Sequence, residues 1–199
     1  MQIMEEKTKK KSTIWLPAFI CILIMTLICG LVYPLVMTAA AQLMPNQANG
    51  SLITVNENGK EVCYGSKLIG QRFTQPQYLI GRPDSGAPTN LSPVSPEQAA
   101  LVAERVEWWH RLDPQNTADI PAELVSASGS GVDPHISPAA AQYQVARIAR
   151  ERGMSEDAVR TVIDKYTEGK TMGVLGEARV NVLMVNLELD GKIGKDENL

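Results

Sequence analysis

Hydrophobic and polar positions divide the chain unevenly. From Ile14 to Val36 it reads IWLPAFICILIMTLICGLVYPLV, and no Asp, Glu, Lys, Arg or His lies between Lys11 and Glu57. A helix of about 23 residues spans about 34 Å, which matches a hydrocarbon core of about 30 Å with modest tilt. Trp15 and Tyr33 stand near its two ends, where interfacial aromatic side chains are expected. After Gly50 the pattern becomes that of a folded domain. Leu52 to Val55 reads as a short strand, and Asn58-Gly59 marks a hairpin turn into the next apolar stretch. Gly65 to Gln71 is strand-like. Residues 73–96, with five prolines, read as ordered irregular chain.

Three serines mark helix starts. Ser95-Pro96-Glu97-Gln98 is a capping box with proline at the first helical position, and Val102, Val106, Trp109 and Leu112 stripe the following helix. Ser137-Pro138 opens a second helix, expected to run unbroken through Arg152 to Gly153. Ser155 opens a third, with Val159, Val162, Ile163 and Tyr166 on its buried side. From Arg179 to Leu189 the alternation of Leu183, Val185, Leu187 and Leu189 predicts a strand. The expected architecture is therefore α+β. A single N-terminal transmembrane helix precedes one compact extracytoplasmic mixed domain. In residues, 1–12 form a short cytoplasmic N-terminus, 13–37 the membrane helix and 38–50 a connector. The α+β domain occupies 51–191 and a polar tail 192–199.

The orientation rests on Lys7, Lys9, Lys10 and Lys11, which crowd one flank of the span while the other has no basic residue before Lys60. Excess positive charge stays in the cytoplasm. A cleaved signal is the competing reading, since Ala39-Ala40-Ala41 resembles a cleavage site, but its apolar core would be shorter. No small residue precedes Cys21 or Cys29 as a lipoprotein anchor requires. From Glu57 onward 20 acids face 15 bases, with no basic patch, which argues against a nucleic-acid partner. Cys63 is the one cysteine outside the span, so no intrachain disulfide is expected in the outer domain.

Candidate chemistry concentrates in Ser126 to Ser137, SASGSGVDPHIS. Ser130, Asp133 and His135 are ingredients of nucleophilic catalysis, and a membrane-tethered periplasmic hydrolase using Ser130 and His135 is one reading. One loop seldom converges three catalytic side chains, and the nucleophile-elbow spacing is absent. The other reading makes the glycines turn formers and the serines and aspartate caps. The phosphate-loop pattern is absent too, and His110 and His135 lack a second ligand at a recognised metal spacing. Arg82, between Gly81 and Pro83, is a candidate fixed ion-pair partner or interface anchor, or else holds its loop through hydrogen bonds to carbonyls. In the span, Thr26, Gly30 and Pro34 recur at four-residue spacing, as in close-packed membrane helices. No charge is embedded there to line an ion path.

Three stretches together resemble one family: Gly65 to Gln71, Leu124 to Ser137, and Arg179 to Leu183, supported by Tyr78 to Pro83 and Asn186-Leu187. They look like the C subunit of the high-affinity potassium-transporting P-type ATPase, the Kdp complex. The likeness covers the span and nearly all of the outer domain. It implies an accessory subunit without an enzymatic centre. The implied partners are a channel-like potassium-binding subunit, an ATP-hydrolysing P-type subunit and a small single-span subunit. It further implies a role in assembly and in raising the ATP affinity of the hydrolysing subunit. In that family the serine-glycine stretch, here Ser128, Gly129, Ser130 and Gly131, has been proposed to touch nucleotide. The topology places these residues outside, so the ATP effect is expected to be indirect. ATP and potassium are then ligands of the complex, and the expected interface residues are Arg82, Asp133 and His135. Leu79-Ile80 and Asp84 depart locally from the family pattern.

Overall fold

The computed structural model describes residues 14–193 and divides into two units, Met1–Gly50 and Ser51–Leu199. The lysine cluster at residues 7–11 and most of the expected tail lie outside the described residues.

In the first unit a helical rod of 27 residues runs from Trp15 to Ala41, with no charged residue and every side chain to Ala40 exposed. At about 1.5 Å per residue it is long enough to cross a bilayer. It is built of α1 (Trp15–Leu27), a π turn (Ile28–Val32) and α2 (Tyr33–Ala41). The π turn has a chemical cause. Pro34 has no N–H to offer the Gly30 carbonyl, and the Tyr33 N–H reaches back five residues to the Ile28 carbonyl. A short α3 (Pro45–Ala48) follows, with proline in its first turn.

The second unit opens with an antiparallel hairpin, β1 (Leu52–Glu57) and β2 (Lys60–Ser66). Asn58 and Gly59 both have positive φ, as a two-residue primed turn requires. A register shift at Ile53/Thr54 makes a bulge, and residues 67–71 leave the strand. Helix α4 (Pro96–Leu112) starts on the Ser95 cap. The expected second helix is two pieces, α5 (Pro138–Tyr143) and α6 (Val145–Arg152), parted at Gln144. Helix α7 (Glu156–Lys165) starts on the Ser155 cap. Short strands β3 (His135–Ile136), β4 (Thr167–Glu168) and β5 (Arg179–Asn181) make a sheet ordered β3-β5-β4.

The last element corrects the expectation of a strand to Leu189. Only Arg179–Asn181 is strand; Val182–Leu189 is a helix, α8, whose N-terminus the Asn181 side chain caps by accepting from the Met184 N–H. Residues 182–187 are all buried, because α8 lies between two apolar clusters. Val182 and Val185 join the main core with Leu79, Trp109, Ile136, Ile148 and Val180. Leu183, Met184 and Leu187 pack on Ile53, Val55 and Ile193 instead. A helix apolar on every side shows no 3.6-residue stripe, and its alternation imitated a strand.

Candidate docking site around the serine-glycine turn

The site is built on a segment without secondary structure of its own. Leu79 and Ile80 are buried, so their main-chain polar groups need partners. Side-chain amides supply them. Asn186 of α8 accepts from the Leu79 N–H and donates to the Leu79 carbonyl, both at 2.8 Å. Gln144 does the same for Ile80, at 2.9 Å each way. Each amide acts as one rung of a missing strand, and the helix breaks at the residue that supplies the second rung. Arg147 is fully buried and donates to the carbonyls of Pro76 and Tyr78 and to Gln144 Oε1. Its guanidinium lies 5.8 Å from the centre of the Trp109 ring. Burial pulls its pKa down to about 10, which leaves it charged at neutral pH. Arg152 donates to the Gln77 and Leu189 carbonyls and pairs with Asp190 at 2.7 Å.

The clamped segment presents Arg82 to the serine-glycine turn. Arg82 Nη2 donates to the Ala127 carbonyl at 3.0 Å, and Nη1 lies 3.6 Å from the Asp133 carboxylate. Within the domain Arg82 therefore holds a loop through carbonyls and also pairs with a carboxylate. Ser128 is buried, and its Oγ accepts from the N–H groups of Gly131 (2.9 Å) and Asp133 (3.4 Å). Exposed Ser130 accepts weakly from the Val132 N–H at 3.3 Å and lies 3.3 Å from Ser128 Oγ. Gly131 has φ +77°, and a Cβ there would stand 2.4 Å from the Ala87 carbonyl oxygen. Gly70 meets the turn from the other side: its N–H bonds to the Val132 carbonyl at 2.7 Å, and a Cβ would come within 2.6 Å of the Asp133 oxygen. The recess among Gly70, Arg82, Gly131 and Asp133 holds about 10 Å³, room for one water.

His135 is engaged with Asp133 and Asn181. Its main-chain N–H bonds to Asp133 Oδ1 at 3.0 Å, its Nδ1 lies 3.7 Å from the same oxygen, and its Nε2 is 3.4 Å from Asn181 Nδ2. Burial, aided by the Arg179 charge, holds its pKa below the usual imidazole value against the pull of Asp133 and Glu168. Among the described residues no hydrogen bond joins His135 to Ser130, and no cluster of three His, Cys, Asp or Glu side chains could hold a metal.

Of the residues singled out in the sequence, Arg82, Ser128, Gly131, Asp133 and His135 thus meet in one place. Gly129 is exposed on the rim, with open space where a side chain would project. Thr26, Gly30 and Pro34 belong to the other unit. Asn186, Gln144 and Arg147, which position the segment, were missed. Their one sequence signal is three polar residues at positions flanked by apolar ones.

Comparisons with known proteins show the family. Residues 15–191 match the family model described as KdpC, K+-transporting ATPase, c chain. The chain is 52% identical over 185 residues to the potassium-transporting ATPase KdpC subunit of Listeria welshimeri, covering 92% of this chain and 97% of that one. It is 49% identical over 185 residues to that of Methylococcus capsulatus, covering 87% and 95%. Against that of Sorangium cellulosum it is 47% identical over 186 residues, covering 88% and 96%. By the extent of these matches, the chain belongs to the KdpC family of potassium-transporting ATPase subunits.

Proposed function

We propose that the chain is a non-catalytic docking subunit of its transporter, with its N-terminus in the cytoplasm and its main domain outside. The span anchors it and packs against partner helices. The outer domain holds the complex together and raises the ATP affinity of the hydrolysing subunit indirectly. The implied partners are the channel-like potassium-binding subunit, the P-type subunit and the small single-span subunit. The observation that carries this reading is how the serine-glycine turn spends its polar groups. Ser128 Oγ accepts two main-chain N–H groups, and the Gly131 N–H is one of them. The Gly131 carbonyl accepts from the Ser85 N–H, and Gly131 itself is buried against Ala87. A phosphate cradle needs its N–H groups free to face the ligand. A nucleophile needs its base within hydrogen-bond reach, and the His135 ring nitrogens lie against Asp133 Oδ1 and Asn181 Nδ2 instead of Ser130.

Two measurements test the reading. A membrane-impermeant maleimide is expected to label the exposed Cys63 in intact spheroplasts. Labelling only after the membrane is opened would reverse the orientation and restore direct ATP contact. In purified complex, removing this chain is expected to weaken ATP binding by the hydrolysing subunit. Unchanged ATP dependence in a complex lacking it would overturn the proposed coupling.

A further inference from the structure

A groove of about 310 Å³ runs beside the site, between helix α4 and the irregular segment from Gln71 to Asp84. One wall is a face of α4: Leu101, Arg105, Trp108 and Arg111 follow at helical spacing. Arg72 and Arg82 line the opposite wall, and Ile80, Trp109 and Leu124 floor it. Four arginines thus meet in one groove of a domain whose acids outnumber its bases. Arg82 is paired with Asp133, but Arg72, Arg105 and Arg111 have no ion-pair partner among the described residues. Arg105 is half-buried and donates to the Val125 carbonyl at 2.8 Å. Removal from water disfavours its charge and lowers its pKa, with only Glu104 opposing. A partly desolvated cation without an ion-pair partner is a cost that a partner's carboxylate can recover.

We propose that this groove takes an extended acidic segment of a partner polypeptide, with one carboxylate seated on Arg105 and an apolar neighbour against Trp108. The charges and the shape select this occupant. From Leu101 to Arg111 the wall is about 15 Å long, the reach of four or five extended residues. Half-buried Trp108 and Arg105 are the side-chain types that dominate binding energy at protein interfaces. Asp84 and Glu104 also line the groove. They repel a polyphosphate, yet leave room for isolated carboxylates spaced along a chain.

The inference adds a partner chemistry to the docking reading, and its test has one arm that does not depend on that reading. In that arm the full chain in detergent is titrated with a seven-residue peptide of alternating Leu and Asp and with its Leu/Asn counterpart, followed by tryptophan fluorescence. The Asp peptide is expected to bind at least about tenfold tighter, to weaken as salt is raised, and to lose about tenfold on Arg105→Glu or Arg111→Glu. Arg111 is exposed and makes no ion pair among the described residues, so its variant folds even where Arg105→Glu does not. Equal affinity for the two peptides, no binding, or displacement of the Asp peptide by ATP overturns the proposal. In the second arm, p-benzoylphenylalanine replaces Trp108 in the purified complex. The crosslink is expected on a partner segment with Asp or Glu within about three residues, its yield cut about tenfold by Arg111→Glu. A crosslink to lipid, or to a segment without acids, overturns it. If no complex forms at all, the docking reading fails and the peptide arm alone decides the groove.

Discussion

Replacing Asn186 by leucine tests the clamp that positions the site. The side chain is 1% exposed, and its amide makes both main-chain bonds of Leu79, which is itself 0% exposed. Leucine keeps the branched shape of asparagine but is bulkier, so no cavity forms and the loss of polar partners is joined by mild overpacking. A buried donor and a buried acceptor lose their partners together, at about 1–3 kcal/mol each. Some relaxation toward Gln144 and Arg147 recovers part of this, leaving about 3 kcal/mol. For a domain of this size about 1 kcal/mol corresponds to about 2–4 °C in melting temperature, so a fall of about 6–12 °C is expected. The assay is thermal unfolding of the full chain in detergent, with Gln142→Leu as control. Gln142 is exposed on α5, and its replacement is expected to stay within about 0.5 kcal/mol of wild type. A fall below about 2 °C for Asn186→Leu would refute the argument, because the Leu79 main chain would then not depend on the amide.

Three further outcomes follow from the geometry. Gly131→Ala forces a side chain into positive φ against the Ala87 carbonyl and is expected to cost more than about 2 kcal/mol, whereas Gly129→Ala, facing open space, is nearly neutral; equal unfolding midpoints would contradict this. Gly30→Leu in the π turn is expected to insert normally but to reduce copurification of partner subunits, whereas Ile24→Leu is expected to insert normally and leave copurification unchanged; equal recovery would assign the docking to the outer domain alone. His135 has its folded pKa below the unfolded value of about 6.5, so the unfolded state binds its proton first. Its contribution is present above that value and lost as pH falls through the folded pKa. His135→Asn is expected to flatten this part of the stability profile below about pH 6.5, and an unchanged slope would count against it.

How far the sequence could be read depends on where each element finds its partners. Asn58-Gly59, Ser95-Pro96, Ser137-Pro138 and Ser155 act on neighbours within four residues, and each formed the turn or cap expected. The site residues were visible because Ser126 to Ser137 folds into its own turn. Helix α8 was misread because burial on all sides erased its stripe. The break at Gln144 carries no proline or glycine; it follows from bonds to Ile80, 64 residues away. Asn186 likewise answers to Leu79, 107 residues away, and Arg147 to Pro76 and Tyr78. Such long-range satisfaction leaves no local pattern.

The structural role proposed for Ser130 rests on bonds confined to its own turn. Its most direct test is the ATP dependence of potassium-stimulated hydrolysis in purified complex carrying Ser130→Ala. The predicted result is full incorporation of the variant chain and an ATP dependence indistinguishable from wild type. A complex that assembles normally but loses its ATP affinity would contradict the account and place the serine-glycine turn in nucleotide contact.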